Sequence, residues 1–149
     1  MDSRLAPYGI LLLRVSMGIM FLAHSLYLKI FVFTMPGTVQ FFQSLGLPGW
    51  FAWLVLLYET IGGILLIIGV YARWVATFLG VHLLVAAWLG HGANGWPFSN
   101  SGGGWEFPAF WAIACFAVAL IGDGALAVKP SHTGYRTLRT SRSGHRLPM

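Results

Sequence analysis

Glu59 stands nine residues into an apolar run that begins near Trp50, about 13 Å deep if that run is a membrane helix. A carboxyl group near the middle of a bilayer cannot reach water along its own short stem, so it needs a hydrogen-bonding or cationic partner or a cavity. His82 lies near the middle of a later apolar run, and Arg14 lies inside the first one. A midplane Glu and His can hydrogen-bond a carbonyl group, relay a proton, or satisfy each other, and a guanidinium such as Arg14 can stabilise developing negative charge. Three roles therefore fit Glu59: a structural clamp to Arg14 between helical hairpins, a ligand or proton site, or a contact in an interface. Arg14 has a second option, because its long stem can reach the near membrane surface.

Further ionisable residues mark the ends of the runs. Lys29 approaches the far end of the first run and Glu106 opens the last one from the same side, which pairs them as an outer polar couple. On an α-helix Lys29 falls about 60° from Arg14, so both belong to one face that also carries Gly18, Phe21 and Ser25. His24 sits on the flank of that face, where an imidazole is more often hydrogen-bonded packing than a ligand. Arg73 can solvate at the start of the third run, on the face opposite His82. His91 and His24 raise the question of haem or a metal, but no H-x-x-x-H pair and no cysteine cluster accompanies them, so neither is expected.

The elements that position these residues follow from composition. Of 149 residues, 57% are hydrophobic and 9% charged, against about 25% charged in soluble domains, so the chain belongs in a lipid bilayer. Four spans are expected, from about Tyr8 to Phe33, Trp50 to Val70, Arg73 to Gly90 and Glu106 to Ile121. A short helix between Pro36 and Leu45 interrupts the first connector, and "YAR" makes a tight hairpin between spans two and three. Arg4 precedes the first run as in a signal peptide, but Arg14 falls inside its core and the hydrophobicity continues past Ser25, so the run reads as a retained span. The fold class is all-α: an integral membrane four-helix bundle over residues 1–128, followed by a basic, disordered tail over 129–149.

Arg4, Arg73 and the tail fall on one side of this arrangement, whereas connectors 34–49 and 91–105 contain no Lys or Arg. Basic residues accumulate on the cytoplasmic side, so both termini are expected there. The net charge of +5 comes largely from that tail, a pattern that favours an anionic membrane surface over nucleic acid. The one cysteine, Cys115, cannot form a disulfide within the chain. Most tryptophans fall near span ends, where an indole is at ease with both lipid and water.

Together these positions resemble the DoxX family of small bacterial and archaeal membrane proteins. The resemblance rests on "LLRVSMGIMFLAHSLYLKIF", "FFQSLGLP", "YETIGGILLIIGVYAR", "GGWEFPAFW" and "GDGALAV", in that order. It implies a compact four-helix bundle in the cytoplasmic (inner) membrane, often a component of a redox-linked assembly, and relatives of the DoxX and DoxD type are associated with quinone reduction. With no recognisable flavin or nicotinamide motif in the chain, electrons would come from a redox partner. The leading expectation is thus an oxidoreductase-associated membrane subunit in which Glu59 and His82 orient or proton-couple a quinone. The alternatives are a non-enzymatic scaffold that recruits a partner and a small-molecule or ion transporter, either of them able to form a homo-oligomer.

Overall fold

A computed structural model describes residues 4–131. Helix α1 (Ala6–Leu22) runs without a break into a π-helical segment (Ala23–Val32), and α2 (Met35–Ser44), α3 (Trp50–Ile68), α4 (Ala72–Leu89) and α5 (Glu106–Ile121) follow. Among the described residues the chain is all-helical, apart from an isolated bridge between Val70 and Lys129.

Three helices are long and apolar enough to cross a membrane: the continuous Ala6–Val32 segment, α3 and α4. Helix α5 is apolar but has 16 residues, about 24 Å, slightly short of a hydrocarbon core of roughly 30 Å. The outer surface is what lipid requires, since Leu12, Leu57, Trp74, Phe78, Trp88 and Leu120 are all exposed.

The bundle is built from two antiparallel pairs. Along α1 and α3, Gly18 faces Gly63 so closely that a Cβ on Gly18 would lie 2.7 Å from the Gly63 carbonyl oxygen, and backbones thus take the place of side chains at the crossing. Along α4 and α5, Gly80 receives the Phe116 ring at 2.9 Å from its would-be Cβ. Met17, Phe21, Leu66, Leu79, Leu83 and Trp111 fill the space between the pairs.

At one end of the bundle the chain closes on itself. Gly69 ends α3 in the left-handed region at φ 72°, a conformation glycine adopts without steric penalty. The Ala125 N–H donates to the Pro7 carbonyl, and those of Val128 and Lys129 donate to Ile68 and Gly69. The expected boundary of the tail at residue 129 is therefore too early: Lys129 also accepts from the Tyr71 N–H, and Ser131 bonds Asp123 through both its N–H and its hydroxyl. The remainder of the expected tail lies outside the described residues.

Candidate functional site

The ionisable residues of the spans separate into two groups. Arg14 is fully buried and donates to the carbonyls of Leu66 at 2.7 Å, Ile67 at 3.1 Å and Ala125 at 3.0 Å. These include the last-turn carbonyls of α3, which have no N–H partner of their own and carry the negative end of the helix dipole. With Ile68 accepting from Val128 and Leu65 from Gly69 and Val70, every one of the last four α3 carbonyls is bonded. Arg73 does the same for α5, donating from Nε to Ala119 at 2.8 Å and from Nη2 to Leu120 at 3.4 Å.

Two expectations are thereby corrected. Arg14 neither clamps Glu59 nor runs to the surface, because seven residues of α3, about 10 Å, separate Glu59 from the carbonyls that hold it. Arg73 is engaged by α5 rather than simply solvated at the span end.

The second group surrounds Glu59, which is 7% exposed. Its Oε2 pairs with Lys29 Nζ from the π-helical segment, and its Oε1 lies 3.0 Å from His82 Nε2 on α4. The imidazole tautomer protonated at Nε2 is the one that donates to a carboxylate. Lys29 also lies 3.5 Å from the His24 carbonyl, and the Thr38 hydroxyl of α2 donates to the Lys29 carbonyl at 3.2 Å. Beside this cluster, the Thr60 hydroxyl donates to Ser25 Oγ at 3.0 Å. The Tyr58 ring meets the His82 imidazole edge-on at 5.3 Å between centroids.

The outer couple of Lys29 and Glu106 does not form. Glu106 accepts from the Phe98 N–H at 3.1 Å, within the loop that precedes α5. The reason is the winding of the first span: i→i+5 bonding over Ala23–Val32 takes more residues per turn than the α-helix assumed in the 60° estimate, so Lys29 turns towards α3. Single π turns are frequent at functional sites, and here ten residues adopt the form.

The remaining histidines among the described residues, His24 and His91, bond backbone carbonyls. His24 Nδ1 bonds the Met20 carbonyl at 3.0 Å while its ring lies 5.0 Å from Trp111 and 6.1 Å from Phe107. His91 Nδ1 bonds the Gly103 carbonyl at 2.9 Å in the loop. Among the described residues no group of three or more His, Cys, Asp or Glu is placed to hold a metal ion. Sequence reasoning missed Tyr58 and the Lys29 to Glu59 pair; the aromatic beside Glu59 was the available signal for the first, and nothing local announced the second.

A cluster of Lys, Glu and His drawn from three separate segments can hold a polar group and pass a proton, and its setting is a helical membrane bundle. The DoxX family model matches residues 9–92, more than half of the chain. The chain belongs to the DoxX family. All three members of the cluster, Lys29, Glu59 and His82, lie within the DoxX match, as does Arg14, whereas Glu106 lies beyond it. The DoxX chain is similar to a Bacillus subtilis (strain 168) protein named "Putative oxidoreductase CatD", with 41% identity over 78 residues. That match covers 52% of this chain and 56% of the relative, so the chain spans about half the length of the curated relative it matches. No solved structure matches it.

Proposed function

We propose that this DoxX protein is the membrane subunit of a redox-linked assembly and binds a quinone, or a similar lipid-soluble carbonyl compound, beside Lys29, Glu59 and His82. The observation that carries the reading is a carboxylate bonded on one oxygen by an ammonium and on the other by an imidazole, well inside a bundle whose outer surface is apolar. An oxidoreductase name on the Bacillus subtilis relative agrees with it.

Reduction of a quinone to its quinol takes up two electrons and two protons. The electrons come from the reduced cofactor of a partner protein, and the cluster supplies the proton path: His82 takes a proton on one ring nitrogen while Glu59 bonds the other. Lys29, rather than Arg14, is the cation close enough to offset charge as the ligand is reduced. In this reading α5 completes a fourth pass of the bacterial or archaeal cytoplasmic membrane. The end that carries Arg4, Arg73 and Lys129 faces the cytoplasm, a reading supported by the distribution of basic residues.

The test is binding of decyl-substituted benzoquinone to the full chain in nanodiscs, by equilibrium dialysis, together with solvent extraction of co-purified quinone. Saturable binding that weakens at least tenfold in Glu59→Gln, with helix content unchanged, is expected. A quinone-free preparation that does not bind the probe would overturn the reading and leave the scaffold or transporter alternatives.

A further inference from the structure

An apolar groove runs between α3 and α4, the two spans at the seam between the helix pairs. Gly62 and Leu79 form its floor, and Ile61 and Leu65 on one side and Val75 and Phe78 on the other form its walls. Gly62 creates the depth, since a Cβ there would come within 2.9 Å of Leu79 Cδ2. The groove opens sideways, because Ile61 and Phe78 are exposed on the lipid-facing surface. Its volume of ≈ 190 Å³ is comparable to the roughly 150 Å³ apolar cavity that suffices for benzene, so it takes a stretch of hydrocarbon rather than a complete amphiphile.

One end of this groove adjoins the polar cluster. Tyr58 lines it, and the Tyr58 ring contacts His82, whose Nε2 bonds Glu59. Among the described residues neither the Tyr58 hydroxyl nor His82 Nδ1 has a protein hydrogen-bond partner, although both lie within the span. From Tyr58 to Leu65 the groove follows α3 for seven residues, about 10 Å.

We propose that the groove between α3 and α4 is the tail subsite of the ligand inferred above. The hydrocarbon chain of a prenyl- or alkyl-substituted carbonyl compound lies along Gly62 and Leu79, and its oxygen accepts from the Tyr58 hydroxyl, beside the His82 ring. This inference rests on the proposed site at Glu59 and His82 and adds that the ligand arrives laterally from the lipid. Lipid chains are as apolar as the groove, so the tail gains from close packing against Gly62 and Leu79 rather than from leaving water. Its role is to lead the head group along an apolar wall that ends at Tyr58, beside His82 and Glu59.

Filling the groove at its far end, with Val75→Phe and separately Leu65→Phe, leaves Tyr58, Glu59 and His82 untouched. Binding of tetramethylbenzoquinone, which has no tail, is compared with that of decyl-substituted benzoquinone in nanodiscs. We expect both variants to bind the tail-less compound as the wild type does and to lose at least tenfold in affinity for the decyl compound. Unchanged affinity for the decyl compound would overturn the tail subsite while leaving the head-group reading intact, and would leave the groove to a membrane phospholipid chain. Failure of the wild type to bind either compound would overturn both.

Discussion

Arg14 and Lys29 are cations on the same first span, fifteen residues apart, and the structure puts them to opposite uses. Arg14 is fixed by backbone carbonyls at the end of α3 and at Ala125, and those acceptors are present whatever side chains these segments carry. Lys29 is fixed by one side chain, Glu59, which His82 also bonds. The first arrangement joins a guanidinium, which keeps its proton, to backbone carbonyls, which do not titrate. The second consists of titratable side chains with an unpartnered tyrosine and imidazole nitrogen next to it. In the proposed reading, the charge whose partners are side chains belongs to the site, and the charge that caps a helix belongs to the architecture.

Three substitutions would break or sharpen this contrast. The largest loss is expected for Arg14→Met, which strips its side-chain donor from three carbonyls at once, that of Leu66 buried and those of Ile67 and Ala125 part-buried, and should lower stability by about 3–5 kcal/mol. Unfolding in mixed micelles of dodecyl maltoside and SDS, followed by circular dichroism, measures it, and no single side-chain replacement should restore the protein. A loss under about 1 kcal/mol would show that the clamp is dispensable.

Lys29→Met leaves the buried Glu59 carboxylate short of its ammonium and should lose about 3 kcal/mol by the same measurement. Here a second substitution rescues: Lys29→Met combined with Glu59→Gln should recover about 1–2 kcal/mol, because the unpaired charge is gone. Additive losses in the double variant would mean that the two residues are not coupled and that the cluster is a second clamp.

Thr60→Val is the mildest, removing a hydroxyl that bonds Ser25 Oγ and the Leu56 carbonyl. It should lower stability by about 0.5–1.5 kcal/mol and leave quinone binding unchanged. A tenfold fall in binding would extend the site to the Ser25 and Thr60 pair.

Much of the scaffold was legible in the residue pattern. The apolar runs located the continuous Ala6–Val32 segment, α3 and α4 to within about two residues, Glu106–Ile121 emerged with its observed limits, and the short helix expected between Pro36 and Leu45 is Met35–Ser44. These elements are read from hydrophobicity and turn residues along the chain, which local physics fixes. Partner choice was less legible. The expected pairs, Arg14 with Glu59 and Lys29 with Glu106, joined opposite charges at similar depth but ignored two competitors: the carbonyls left over at the end of α3 and the backbone N–H of Phe98. The return of Lys129 to the hairpin between α3 and α4 was also hidden, because its bonds use backbone atoms that every residue possesses.

By itself, then, the amino-acid sequence determined a membrane-embedded all-helical DoxX chain, with Glu59 and His82 near the middle of their spans and in need of partners. It did so because burial in lipid is set by runs of side chains, and the penalty for a buried charge is local. Only the tertiary structure decided that Lys29 meets Glu59 and that Arg14 caps a helix. Those outcomes depend on the winding of ten π-helical residues and on the close crossing at Gly18 and Gly63, which set the rotation and spacing of helices that the sequence places only in order.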